Sequence, residues 1–121
     1  MASGNLGSTV LMNAQVIAKA GTAHTGKCTF RGCAGNSALV IITTAGTITV
    51  TQEVSVDGDT WYDAKDSAGA SLDAISVALG VTAGTYVPFN PVMAEWTRFK
   101  VVEANVAETT VTLRLIYRQE V

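Results

Sequence analysis

Apolar and polar residues alternate with a period of two through most of this chain, and the 3.6-residue period of an amphipathic helix is scarce. From Thr47 to Val56 the alternation sets Ile48, Val50, Val54 and Val56 on one side. Thr47, Thr49, Thr51, Glu53 and Ser55 fall on the other, with Gln52 interrupting the apolar face. Thr110 to Arg118 reads the same way: Val111, Leu113, Leu115 and Tyr117 point inward, and Thr112, Arg114 and Arg118 outward. Ile116 is then the one apolar residue of that outer face, which marks it as a contact position. Trp96 to Glu103 alternates Phe99 and Val101 against Arg98 and Lys100, and the unbroken apolar run Ala38 to Thr43 predicts a central strand buried on both faces. Val10 to Ala18 and Lys27 to Arg31 read as further strands, and Thr60 to Ala64 as a short one. Thr85 to Phe89 reads as an edge strand ended by Pro88 and Pro91. Ala70 to Leu79 has room for a helical turn or two, but Ser71, Ser76, Val77 and Gly80 oppose a long helix.

About eight short antiparallel strands, with turn residues every ~8–12 positions, predict an all-β fold, a β-sandwich or jelly roll. The 121 residues suffice for one hydrophobic core, so residues 10–121 are expected to form a single domain. Met1 to Thr9 is small and polar with two glycines, and is expected to be an extended N-terminal arm outside that core.

Composition sharpens the picture at one point. Hydrophobic residues make up 48% of the chain and charged residues 15%, against ~25% charge in an average globular domain. A surface so poor in charge is expected to be covered in part by a partner, which points to self-association, with a homotrimer as the expected form. The net charge of -2, with no basic run, argues against nucleic acid as a ligand. The apolar stretches, such as Ala38 to Ile42, fall far short of the ~20 residues of a membrane span. The start Met1-Ala2-Ser3-Gly4-Asn5 lacks the basic and apolar regions of a secretory signal, so synthesis in a cytoplasm is expected.

No residue pattern points to catalysis, and no catalytic residue, metal ligand or cofactor site is assigned. The sole histidine, His24, sits in a glycine-rich segment and reads as an exposed loop residue, so a nucleophile would have no positioned base. Asp57-Gly58 supplies the positive dihedral of a tight turn, and Trp61 just beyond it can fold back over the sheet. Asp57, Asp59, Asp63 and Asp66 are oxygen ligands close in sequence, but their spacing matches no calcium loop. Cys28 and Cys33, with four residues between them and His24 the sole histidine, cannot build a zinc site within one chain. They read as buried thiols or as a local disulfide.

Charge is unevenly distributed. Six acids (Glu53, Asp57, Asp59, Asp63, Asp66, Asp73) face Lys65 alone between positions 53 and 73, while Arg98, Lys100, Arg114 and Arg118 lie on outward positions of two later strands. Such segregation would let neighbouring copies dock with complementary potential. The expected assembly interface comprises Met1, Ala2, Ser3, Gly4, Asn5 and Leu6 of the arm with Arg98, Lys100, Arg114, Ile116 and Arg118.

The run Thr49 to Asp63, with its Ser-x-Asp-Gly-x-x-Trp turn, followed by Pro88-Phe89-Asn90-Pro91 and the Arg98-Phe99-Lys100-Val101 strand, resembles small β-sandwich virion proteins of tailed phages. Among these it is most similar to capsid decoration, or cement, proteins. The resemblance covers roughly residues 38–118. It implies a protein on the capsid exterior that binds the major capsid protein and stabilises the shell, often as a trimer and without chemistry. A tail or neck component of the virion is the neighbouring reading. A carbohydrate-binding or adhesion module is the alternative from another class, in which Trp61, Tyr62 and Trp96 would offer exposed, coplanar rings to a sugar.

Overall fold

The computed structural model describes residues 5–28, 37–65, 68–69, 75–78, 84–89 and 94–119. These residues form nine strands and no helix: β1 (Asn5–Ile17), β2 (Thr22–His24), β3 (Ser37–Thr43), β4 (Thr47–Ser55), β5 (Tyr62–Asp63), β6 (Ile75–Ala78), β7 (Thr85–Phe89), β8 (Trp96–Glu103) and β9 (Thr109–Gln119). A four-stranded sheet runs β1-β9-β3-β7, and a five-stranded sheet runs β2-β8-β4-β5 with β6 also paired to β4. Every pairing is antiparallel.

The pairings β1 with β9, β2 with β8, β3 with β7 and β4 with β6 describe one long antiparallel ribbon. It is folded over so that β9 meets β3 and β8 meets β4. This is the jelly-roll connection of two packed sheets, as the alternation led us to expect. Met12, Ile17, Leu39, Ile41, Val111, Leu113 and Leu115 from one sheet meet Ile48, Val50, Phe99 and Val101 from the other in a single core. Fully burying one such aliphatic or aromatic side chain is worth about 1.5–3 kcal/mol, and this cluster is what the short strands have in common.

Several expectations need correction. The segment from Asn5 to Thr9 is not a free arm: it is the first half of β1, aligned with β9 from Gln119 to Leu115. Gly7 lies opposite Tyr117, whose ring would stand 2.7 Å from any Cβ at that position, so a glycine lets the aromatic lie across the strand. Met1 to Gly4 lie outside the described residues. Of the expected strand at Lys27 to Arg31, residues 29–31 lie outside the described residues; Cys28 forms an isolated bridge with Thr97, and β2 lies five residues before the expected start. Ile75 to Ala78, in the segment with room for a helix, is a strand paired with Thr47 to Val50, because the β4 edge supplies backbone partners that a short helix would lack. Ser37 to Thr43 is central as expected, although Val40 and Ile42 on its outer side are only half-buried.

The predicted faces of β4 hold for Ile48 and Val50 and then fail. Glu53 and Ser55 are buried while Val56 is 78% exposed. The register with β8 is unbroken, so no bulge turns the strand over. What changes is the cover: beyond Val50, side chains on the outer face bury the polar row.

Candidate functional site

The outer face of the five-stranded sheet carries a charged cluster built from four adjacent strands, β2, β8, β4 and β5. Glu53 on β4 aligns with Arg98 on β8, and the Arg98 Nε donates to Glu53 Oε1 at 2.7 Å. His24 on β2 aligns with Lys100, which sets its Nε2 3.5 Å from the same carboxylate oxygen. The Trp61 ring covers the Arg98 guanidinium at 4.4 Å, and Lys100 reaches Asp63 Oδ1 at 3.7 Å. Glu53 is therefore buried beneath its counter-ion Arg98 and the His24 ring. His24 is a strand residue bound into this cluster, which corrects its reading as a loop residue.

The turn after β4 closes one end of the face. The Ser55 hydroxyl accepts the backbone N–H groups of Gly58 at 2.8 Å and Asp57 at 3.3 Å and donates to Asp57 Oδ1. Asp57 Oδ1 in turn accepts the amides of Asp59 and Thr60. The Thr60 amide, the Asp59 amide and the Ser55 hydroxyl together hold the Asp57 carboxyl at about 2, below its usual 3.8. Gly58 takes the positive φ of 81° that Asp-Gly predicts, though the loop spans residues 56–61 rather than two. Lys27 lies over the Trp96 ring at 5.2 Å and donates to Gly58 O at 3.4 Å. Each tryptophan thus has a cation on one ring face and is half-buried, while Tyr62 beside Trp61 is 57% exposed.

A second carboxylate, missed in the sequence, anchors the far end of the same sheet. Glu103 is 1% exposed and accepts amides from Ala20, Thr47 and Val106. Burial pushes its carboxyl up, but the amides of Ala20, Val106, Thr47 and Ala107 outweigh this and hold it at about 2. Its period-two position signals burial, but only the fold reveals the amides gathered round it.

The four-stranded sheet has a different outer face. Val10, Arg114, Val40 and Tyr86 form one row across all four strands, and Ser8, Ile116, Ala38 and Pro88 form the next. Val10 is 43% and Tyr86 63% exposed, and Val40 and Ile116 are half-buried. Arg114 is the charge in these rows, and its guanidinium donates to Ser8 Oγ at 3.2 Å.

The expected interface residues are thus divided. Arg98 and Lys100 lie on the charged face and are paired within the chain to Glu53 and Asp63, both members of the expected acidic segment. Arg114 and Ile116 lie on the opposite outer face, and Arg118 belongs to the same strand as these two, at the register position of Leu6. Among the described residues the two signs meet on one face, because β4 sits beside β8 and β5 beside β4. Asp66, Asp73 and Cys33 lie outside the described residues. Among the described residues no group of three or more His, Cys, Asp or Glu side chains is placed to hold a metal ion.

No protein-family model matches the chain, and no curated protein matches it in sequence. Solved structures similar to it include a mitogen from Yersinia pseudotuberculosis, at 9% identity and a TM-score of 0.45, covering 98% of this chain and 87% of that one. Another is PirA, at 13% identity and a TM-score of 0.45, covering 94% of this chain and 93% of the other.

Proposed function

We propose that this protein is a non-catalytic virion subunit that docks on the outer surface of a phage capsid, binds the major capsid protein and stabilises the shell, and also associates with itself. The observation that carries the reading is the contrast between the two outer faces. The five-stranded sheet closes its charges on one another, whereas the four-stranded sheet offers Val10, Val40, Ile116 and Tyr86 around Arg114. A rigid, weakly charged sheet face with one arginine in it has the composition of the desolvated centre of a protein interface, with the polar threonines and serines as its rim. Chemistry on a substrate is not part of this role, and the resemblance of the Ser55 to Trp61 turn and the Arg98 to Val101 strand to decoration proteins supports it from the sequence side.

The test is co-sedimentation with empty capsids built from the major capsid protein of its own genome. Saturable, stoichiometric occupancy is expected, with a loss of at least tenfold in affinity for Tyr86→Asp and for Arg114→Ala while folding is retained. Absence of binding, or binding by both variants equal to that of wild type, would exclude docking through this face.

A further inference from the structure

Among the described strands β1 is the outermost of its sheet and the longest, thirteen residues from Asn5 to Ile17. Among the described residues, no strand pairs with its other side. In an antiparallel pair every second residue of an edge strand turns both its N–H and its C=O away from the partner, so β1 presents a row of donors and acceptors to solvent. Natural edges are usually guarded by lysine, proline, bulges or very short strands. Here residues 1–18 contain no charged side chain and no proline. The guard that remains is a pair of register shifts, between Val10 and Met12 and between Met12 and Gln15, with Ala14 at a φ of 49°. These spoil the second half of the edge and leave residues 5–10 in regular register with β9. The opposite edge of the sheet, β7, has five residues and contains Pro88, so it is guarded in the usual way.

We infer that the free edge of β1 pairs with β1 of a second copy of this chain, antiparallel about a two-fold axis, over residues 5–10. An antiparallel strand is its own complement: each outward N–H meets a C=O of the identical segment. A ladder centred on Ser8 sets position 6 of one copy opposite position 10 of the other, apolar residue type against apolar. Charge allows it, because the cations nearest this stretch of edge, Arg114 and Arg118, lie one strand in on β9, at the register positions of Val10 and Leu6. Position 114 of one copy and position 118 of the other would share a row three strand spacings apart, roughly 14 Å, beyond the ~8 Å screening length at physiological salt. The joined sheets make one eight-stranded surface and carry the row of Ser8, Ile116, Ala38 and Pro88 across both copies. A three-fold ring would instead need two different complementary patches, and β1 offers a single self-complementary one, so the assembly through this edge is a dimer. The inference stands on the edge itself and does not require a capsid.

The experiment is sedimentation velocity of the free full-length protein across a concentration series, with hydrogen exchange at both ends of the series. The expected result is a monomer–dimer equilibrium in which amides at alternate positions within residues 5–10 slow by at least tenfold at high concentration, while those of β7 do not change. Thr9→Lys, at an exposed position, would bring two ammonium groups within about 7 Å across the axis, and shifts the equilibrium to monomer with an unchanged circular dichroism spectrum. A monomer at high micromolar concentration overturns the inference. So does a trimer, or a dimer whose protection maps to the Val40 and Tyr86 face and survives Thr9→Lys. Capsid binding is scored separately, so its loss would leave the dimer result standing.

Discussion

The carboxylate of Glu103 accepts the backbone N–H of Ala20 at 3.0 Å across 83 residues of sequence, and so fastens the entry to β2 to the end of β8. The same side chain takes the amides of Thr47 and Val106, so one residue closes three turns at this end of the sandwich. Both Glu103 and Asp57 have carboxyls held at about 2, from usual values of 4.5 and 3.8. A depressed carboxyl contributes stability that is complete above the unfolded value and is lost as the pH falls through the folded one. The thermal midpoint should therefore drop as the pH is lowered from 4.5 toward 2. Glu103→Gln, which titrates nowhere in this range, should melt lower at neutral pH and show a flatter acid limb. An unchanged limb in that variant would mean that Glu103 does not carry this pH dependence.

Gly46 sits beneath the same carboxylate at a φ of 66°, where a Cβ would stand 2.7 Å from Glu103 Oε2 and 2.9 Å from Ala107 O. Gly46→Ala adds a strained backbone to the displacement of Glu103 and should cost about 1–3 kcal/mol. Urea unfolding would show it as a lower midpoint with an unchanged slope.

On the charged face, Arg98 and Lys100 look equivalent in sequence but should behave differently. Arg98 touches a buried carboxylate and lies under Trp61, whereas the Lys100 pair with Asp63 is longer and half-exposed. Arg98→Ala should cost about 2 kcal/mol, as a charged hydrogen bond to a sheltered group does. Arg98→Lys should recover little, since an ammonium offers neither the flat stack nor the Nε donor. Lys100→Ala should stay within about 0.5 kcal/mol of wild type. Chemical denaturation of the three variants side by side gives the ranking.

Truncation separates the observed β1 from the expected arm. Removing residues 1–9 takes away the partners of Leu115 to Gln119 and uncovers the Tyr117 ring, and should destabilise the fold by more than about 2 kcal/mol. Removing residues 1–4 stops short of the β1 ladder and should leave the unfolding midpoint close to wild type. Equal midpoints for the two truncations would mean that the pairing of Asn5 to Thr9 contributes nothing.

The alternation by itself determined most of the fold. Phe99 and Val101, and Val111, Leu113 and Leu115, are buried as their period-two positions require, and β7 and β8 begin and end where the sequence places them. These features are local: side chains on a pleated strand alternate whatever the partner, so a half-buried strand is written in its own residues. Other features depended on which strands become neighbours. Glu53 reads as a solvent residue until β2 and β8 bring His24 and Arg98 over it, and the apparent basic and acidic regions cancel because β8 lies between β2 and β4. Asn5 to Thr9 lacks the apolar content of a core strand, yet becomes one edge of the sheet because β9 offers an unpaired ladder along its whole length. Period two tells which residues share a face. What covers that face, and which backbone groups still need partners, is set by contacts between residues distant in sequence, and only the folded arrangement decides them.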